Sequence, residues 1–213
     1  MSYFSKIFVL LCLCSQLLHS QSKEIQFLSG KDSEHTKEWD FWINAGRKSG
    51  SWDKIQVPSQ WEQQGFGSYN YGRDYVTYGK NFKFNDEVGL YKHKFSVPNS
   101  WKGKSVNIVF EGSMTDTEVK INGKLAGEIH QGAFYEFKYD VSSLLAYGTK
   151  NILEVHVWKH SANKSVNAAE RRADWWLFGG IYRPVWLEVS PKTNIQHIAV
   201  NPKMDGSITI DLD

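Results

Sequence analysis

The chain has 213 residues, a formal net charge of +2 and 9 tryptophans, and 41% of its residues are hydrophobic. The small charge and the lack of a basic cluster argue against nucleic acid as a partner. Both cysteines, Cys12 and Cys14, lie near the N-terminus, so the rest of the chain can form no disulfide, thiolate metal site or cysteine nucleophile. Stability must therefore come from a buried core, for which length and composition suffice.

The first 20 residues have the pattern of a secretory signal peptide. Lys6 supplies a positive charge, an apolar run over residues 7–14 follows, and a polar stretch ends near Ser20. The apolar run is too short to span a bilayer, so we predict no membrane span. We expect an exported protein, periplasmic or extracellular, that loses residues 1–20. The cleavage position stays open, because Leu18 is not the small residue expected there.

Beyond about residue 52, alternating apolar and polar residues predict β-strands. The alternation is clear over residues 91–97, 106–110, 153–157 and 185–189. Asn122-Gly123 lies between two short runs of the same kind and predicts a tight hairpin. Short helices are indicated around residues 33–41 and over residues 141–145. Many strands separated by turn residues predict an all-β fold, an antiparallel β-sandwich.

Two long segments, residues 61–75 and 159–174, interrupt the strand pattern, and the second leads into Asp174-Trp175-Trp176. Long loops often carry binding residues. A carboxylate beside indole rings suits a carbohydrate, because the acid accepts hydrogen bonds from hydroxyls and the ring covers the apolar C–H face. The alternative is that both tryptophans belong to the core and that Asp174 caps a turn.

Two further groups of residues have open interpretations. His156 and His160 stand four apart without a third ligand, so core or solvated histidines are favoured over a metal site. The run Glu170-Arg171-Arg172 is compatible with an acidic sugar, although a local ion-paired stretch is favoured. The residues identify no cofactor.

A series of short motifs, in order along the chain, resembles the N-terminal sugar-binding domain of glycoside hydrolase family 2. They are Glu38-Trp39-Asp40-Phe41, Ile55-Gln56-Val57-Pro58-Ser59-Gln60-Trp61, Gly89-Leu90-Tyr91-Lys92, Phe110-Glu111-Gly112-Ser113, Val119-Lys120-Ile121-Asn122-Gly123-Lys124, Phe137-Lys138-Tyr139-Asp140 and Gly179-Gly180-Ile181-Tyr182-Arg183-Pro184-Val185. The resemblance implies a jelly-roll (galactose-binding-like) sandwich over residues 21–190. It also implies the first strands of an immunoglobulin-like sandwich over residues 191–213, cut off before a TIM barrel.

The resemblance implies the N-terminal portion of an exported, retaining β-glycosidase, β-galactosidase-like, that acts on oligo- or polysaccharide. In the family both catalytic glutamates belong to the barrel, one of them in an Asn-Glu pair, and this sequence has no Asn-Glu dipeptide. We therefore expect the chain alone to be inactive. The alternative is a free-standing carbohydrate-binding module without hydrolytic activity, and a homo-oligomer is compatible with either.

Four residues are expected to bind substrate, and none to be catalytic or to bind a metal. Asp174 and Trp176 match the Asp-x-Trp motif that binds sugar hydroxyls in the β-galactosidases. Asp74 or Tyr75 stands where those relatives place a pocket asparagine, and the loop around them is longer than in the family.

Overall fold

The computed structural model describes residues 23–79, 86–195 and 197–212, with the exception of the Tyr75 side chain. The predicted signal peptide lies outside the described residues. The strands are β1 (Glu24–Phe27), β2 (Lys37–Ile43), β3 (Asp53–Val57), β4 (Asn70–Tyr71), β5 (Val88–Ser96), β6 (Ser105–Phe110), β7 (Asp116–Ile121), β8 (Lys124–Leu125), β9 (Phe137–Asp140), β10 (Lys150–Trp158), β11 (Trp176–Leu177), β12 (Val185–Ser190), β13 (Ile198–Pro202) and β14 (Ile208–Leu212). The helices are α1 (Asp74–Tyr78), α2 (Lys164–Glu170) and a 3-10 turn, Asn99–Trp101.

Two antiparallel sheets form the body of the protein. One has the strand order β1-β12-β6-β9 and the other the order β3-β2-β5-β10-β7-β8. Their inward-facing side chains form one buried cluster, to which the first sheet contributes Val106, Ile108 and Val185 and the second Phe41 and Val155, among others. Burial of each large apolar side chain is worth about 1.5–3 kcal/mol. The predicted all-β sandwich is confirmed.

Local sequence explains the β7–β8 hairpin. Asn122 and Gly123 both have positive φ, 53° and 79°. Two central residues of this conformation make the hairpin turn whose twist matches that of the flanking strands, and Asn-Gly is the pair that adopts it most readily. The hairpin predicted from these two residues is confirmed.

Both predicted helices are wrong. Most of residues 33–41 falls in strand β2, where Trp39, Phe41 and Ile43 are buried at every second position, a period-two pattern that the prediction missed. Residues 142–144 form a turn in which the side chain of Asp140 accepts a hydrogen bond from the backbone N–H of Ser142, at 2.8 Å. Conversely, helix α2 lies inside a segment that was expected to have no regular structure.

Strands β13 and β14 pair with each other. Their apolar residues are exposed, among them Val200 at 57% and Ile210 at 57%. Strand β12 ends at Ser190, where the sequence places the end of the jelly roll, and the assignment of residues 191–213 to a second domain stays a prediction. Within the described residues, no helix is long and apolar enough to cross a membrane.

Candidate functional site

The two long segments that interrupt the strand pattern meet at one end of the sandwich. Strand β4 from the first segment pairs with β11 just after the second, with Tyr71 opposite Trp176 and Asn70 opposite Leu177. The backbone N–H of Gly72 donates to the carbonyl of Trp175 at 2.9 Å. A Cβ on Gly72 would lie 2.2 Å from the carbonyl oxygen of Ala173, so this close approach requires glycine.

Alternation along β11 decides which aromatic ring of the motif is available. Successive side chains of a strand point to opposite faces, so Leu177 is fully buried whereas Trp176 is 54% exposed. The Trp176 ring contacts Tyr71 edge-on, with centroids 5.5 Å apart, and Tyr69 at 6.0 Å. Trp175 is also exposed, at 45%, and its indole N–H donates to the carbonyl of Glu170. Neither indole of the motif is a core residue.

Asp174 forms an ion pair across the same junction. Its Oδ1 lies 2.8 Å from Nε of Arg73, and both side chains are more than half exposed. The carboxylate is therefore oriented by a cation while it stays open to solvent and to a ligand's hydroxyl groups. The pair also joins the first long segment to the second.

Asp74 and Tyr75, the other two predicted binding residues, lie next to this pair along the chain. Oδ2 of Asp74 accepts a hydrogen bond from the backbone N–H of Tyr71 at 2.9 Å, as in a turn whose acid satisfies a nearby amide. Tyr75 lies in helix α1, and its side chain is not described. The role of both residues in substrate binding stays a prediction.

A cavity of about 750 Å³ opens at this end of the sandwich. Its described lining residues are Gln60, Tyr71, Met114, Phe134, Arg171, Asp174, Trp175, Trp176 and Phe178. Asp174 and Trp176 are thus brought to one cavity, whereas Asp74 is not among the described residues that line it. The volume falls in the range of about 300–1,000 Å³ that is typical of small-molecule sites. A carboxylate with several aromatic faces is the combination that binds a saccharide.

A group of buried charges, Glu62, Glu87 and Lys159, here called the buried cluster, contacts the chain just after strand β11. All three side chains are inaccessible to solvent, and Nζ of Lys159 lies 2.6 Å from Oε1 of Glu62 and 3.3 Å from Oε2 of Glu87. Burial raises the pKa of Glu62, although the nearby Lys159 opposes this shift. Lys159 offsets part of the negative charge of the two glutamates, whose burial without a cation would be very unfavourable.

Glu62 connects the buried cluster to the candidate site. Its two carboxylate oxygens accept from the backbone N–H of Gly179, at 3.0 and 3.2 Å, and Gly179 lies two residues after the end of strand β11. A Cβ on Gly179 would lie 2.0 Å from the ring of Trp61, so the chain is held tightly at this point. The cluster therefore fixes the backbone just after strand β11, the strand that carries the Trp176 indole.

Arg171 is a further buried charge, and it lines the cavity. Its Nη2 donates to the carbonyl of Phe178 at 3.0 Å. Burial lowers the pKa of its guanidinium to about 10, so that the group is still a cation at neutral pH.

The sequence pattern did not indicate the buried cluster, and it favoured a local ion-paired stretch over residues 170–172. The signal that was available is modest: Lys159 follows directly on the apolar alternation of β10, and Glu62 follows the buried Trp61. In the described parts of the chain, no group of three or more His, Cys, Asp or Glu side chains is arranged to hold a metal ion.

Known proteins resemble this chain over nearly all of the sandwich. The family described as "Glycosyl hydrolases family 2, sugar binding domain" matches residues 27–191. A β-galactosidase of Thermoanaerobacter pseudethanolicus is 37% identical over 112 residues, 52% of this chain and 15% of that protein. A β-glucuronidase of Bacteroides fragilis is 26% identical over 190 residues, 88% of this chain and 24% of that protein.

Solved structures of enzymes with the same names have a similar fold. The solved structure of a Faecalibacterium prausnitzii β-glucuronidase superposes with a TM-score of 0.62 at 21% identity, over 92% of this chain and 36% of that one. The chain thus spans about a quarter or less of the length of the β-galactosidase and the β-glucuronidase named above. Because the family match covers most of the described residues, the chain belongs to the sugar-binding domain of glycosyl hydrolase family 2.

Proposed function

We propose that this chain supplies one wall of the substrate pocket of an exported, retaining β-glycosidase. The observation that carries the proposal is the cavity in which the Asp174 carboxylate and the Trp176 indole lie together. Asp174 would accept hydrogen bonds from sugar hydroxyls, and the indole would cover the apolar face of the ring. The names of the relatives, β-galactosidase and β-glucuronidase, support a β-linked glycoside as substrate.

The reaction itself needs groups that this cavity does not provide. A retaining glycosidase uses two carboxyl groups about 5–5.5 Å apart, one as nucleophile and one as acid and base. Of the described residues that line the cavity, Asp174 alone carries a carboxylate. The proposal therefore gives the 213-residue chain a binding role and assigns the hydrolysis to the larger protein.

Export is part of the proposal, supported by Lys6 and the apolar run over residues 7–14. Expression with the native N-terminus, followed by cell fractionation and N-terminal sequencing of the mature protein, tests it. Processing near Ser20 is the expected result, whereas an unprocessed protein in the cytoplasm contradicts export.

The central test is Asp174→Asn in the larger protein. Each charge-assisted hydrogen bond from a sugar hydroxyl is worth about 1.5–3 kcal/mol. We expect kcat/KM for an aryl β-glycoside to fall by about 10- to 1,000-fold, with kcat reduced as well because these contacts strengthen in the transition state. The melting temperature should barely change, because the side chain is exposed.

Asp53→Asn is the matched control, because Asp53 also forms an exposed ion pair, with Lys48, away from the cavity. It should leave kcat/KM unchanged. A variant Asp174→Asn with reduced stability and unaltered kinetics would show that Asp174 only caps a turn.

A free-standing binding module is the second candidate, favoured because Asp174 carries the one carboxylate among the described residues that line the cavity. The two candidates differ in what accompanies the sandwich in the gene. A catalytic barrel encoded in the same reading frame supports the enzyme, and a stop codon directly after the hairpin supports the module.

A further inference from the structure

Arg171 is a buried cation that forms no ion pair with any carboxylate in the described part of the chain. Its side chain belongs to a residue that is 2% exposed, and its Nε makes no hydrogen bond. The contacts of its other nitrogens are neutral: Nη2 donates to the carbonyl of Phe178, and Nη1 lies 3.8 Å from Sδ of Met114. Among the carboxylates that the structure describes, none forms an ion pair with it within 4.0 Å.

The two carboxylates that interact electrostatically with Arg171, those of Glu170 and Glu62, already accept hydrogen bonds from other donors. Glu170 accepts from the backbone N–H of Ala133 at 2.9 Å, and Glu62 is held by Lys159 and by Gly179. Both raise the pKa of Arg171, but burial lowers it by more. A buried charge is normally paired, because an unpaired one is very unfavourable. The local ion-paired stretch favoured from the sequence is therefore not what the structure contains at Arg171.

The cavity gives an anion a route to this cation. Arg171 lines it together with Trp175, Trp176, Phe134 and Phe178. Four aromatic side chains make the surroundings apolar, and electrostatic attraction is stronger there than in water. A guanidinium presents its N–H groups in a planar fork that matches the oxygens of a carboxylate or a sulfate.

We propose that the cavity takes an acidic saccharide and that Arg171 is a specificity residue, donating hydrogen bonds to a carboxylate or sulfate group on the sugar. The inference rests on the proposed function, because it presupposes that the cavity binds a saccharide. Asp174 lies in the same cavity, but its charge is offset by Arg73 at 2.8 Å. In this arrangement Asp174 binds hydroxyl groups of the sugar, and Arg171 binds its anionic group.

NMR titration of the ¹⁵N-labelled 213-residue chain tests the inference without any substitution. The probes are methyl β-D-glucuronide, which carries a carboxylate, methyl β-D-galactoside 6-sulfate, and the neutral methyl β-D-glucoside and methyl β-D-galactoside, all at one ionic strength. The signals followed are the Nε–H of Arg171 and the indole N–H groups of Trp175 and Trp176. We expect at least one acidic sugar to bind about tenfold or more tightly than its neutral counterpart and to shift the Arg171 signal.

The pattern of outcomes separates the two proposals. Preference for the glucuronide identifies a carboxylate as the group recognised, and preference for the sulfated galactoside identifies a sulfate. Equal affinity for acidic and neutral sugars, with the indole signals shifted and the Arg171 signal unmoved, overturns the role of Arg171 and leaves the sugar site standing. If no saccharide shifts the indole signals at up to about 100 mM, the proposed function fails as well.

Arg171→Lys and Arg172→Lys form a matched pair of variants. Lysine keeps the charge but lacks the planar fork, so Arg171→Lys should lose most of the preference for the acidic sugar while it still binds the neutral one. Arg172 is the exposed neighbour, and its substitution should leave the preference unchanged. An unchanged preference in a folded Arg171→Lys variant also contradicts the proposal. Should that variant fail to fold, the titration of the unsubstituted chain still decides.

Discussion

Two ion pairs join the same two loop segments, and they differ most in their exposure to solvent. Arg73 and Asp174 are 2.8 Å apart with both side chains more than half exposed, whereas Lys159 and Glu62 are 2.6 Å apart with both fully buried. The similar distances imply similar geometry, so the surroundings decide what each pair does. Water competes for the exposed pair and weakens it, whereas both side chains of the buried pair are inaccessible to water.

The difference in exposure gives the two pairs different roles: the buried pair supports the structure, and the exposed pair is available to bind a ligand. The buried cluster cannot exchange its partners for those of a ligand, and it holds the backbone at Gly179, just after strand β11. The exposed pair can exchange water for a ligand, because a sugar hydroxyl can replace a water molecule at the Asp174 carboxylate. Residues that build the site and residues that are available to a ligand thus lie within the same two segments of chain.

The largest effect is expected from Lys159→Met, which leaves Glu62 and Glu87 buried without their cation. Removal of one partner of a buried ion pair costs about 3–5 kcal/mol. We expect a loss of this size in the free energy of unfolding, measured by urea denaturation followed by circular dichroism.

Lys92→Met is the matched control, because Lys92 pairs with Glu154 at 2.9 Å on an accessible sheet face. It should cost less than about 1 kcal/mol. Equal losses in the two variants would remove the distinction between the buried and the exposed pair. The loss in Lys159→Met should shrink as the pH is lowered, because the pKa of Glu62 is raised in the folded protein and its protonation relieves the unpaired charge.

A smaller effect on the free energy of unfolding is expected from His93, an ionisable group that is only partly buried. Burial lowers its pKa to about 4, with a further contribution from Lys37, while Asp40 opposes the shift. An unfolded histidine has a pKa of about 6.5, so between these two values the unfolded chain binds a proton that the folded protein does not. The free energy of unfolding should therefore fall as the pH is lowered from about 6.5 to 4.

His93→Phe tests this dependence, because phenylalanine can keep the ring stacking on Trp39, whose centroid lies 4.8 Å away. Since His93 is partly accessible to solvent, we expect it to account for about 1–2 kcal/mol of the pH dependence, less than the full shift implies. Urea denaturation at several pH values measures it, with the exposed His197→Gln as control. A slope that is the same in His93→Phe and in the unsubstituted protein would contradict the assignment.

The smallest change in stability is expected for Arg73→Gln, which removes the exposed pair. The free energy of unfolding should change by less than about 1 kcal/mol, and by less still in high salt. Lys54→Gln is a matched variant, because Lys54 forms an exposed pair with Asp40 at 2.6 Å. If Arg73→Gln were as destabilising as Lys159→Met, the Arg73–Asp174 pair would support the fold rather than the binding of a ligand.

Much of the fold could be predicted because its signals are local. The Asn122-Gly123 hairpin depends on two adjacent residues, and the strands near Tyr91 and Val155 show their alternation within a few positions. The same principle explains the error at residues 33–41: Trp39 and Phe41 belong to an alternation as clear as the others, but this region was assigned to a helix. Asp174 and Trp176 could be selected as candidates, since an acid next to indoles is also a local pattern.

The sequence by itself determined the all-β fold, the hairpin turn and the motif around Asp174, because period-two alternation, turn chemistry and short motifs act between near neighbours. The tertiary structure alone decided that residues of the two long segments line one cavity and that Glu62 holds Gly179, 117 positions away. It also decided that Arg171 is buried and forms no ion pair with the carboxylates of the described residues. Burial and ionic partnership depend on which distant residues the sheets bring together, and charge alone does not specify a partner.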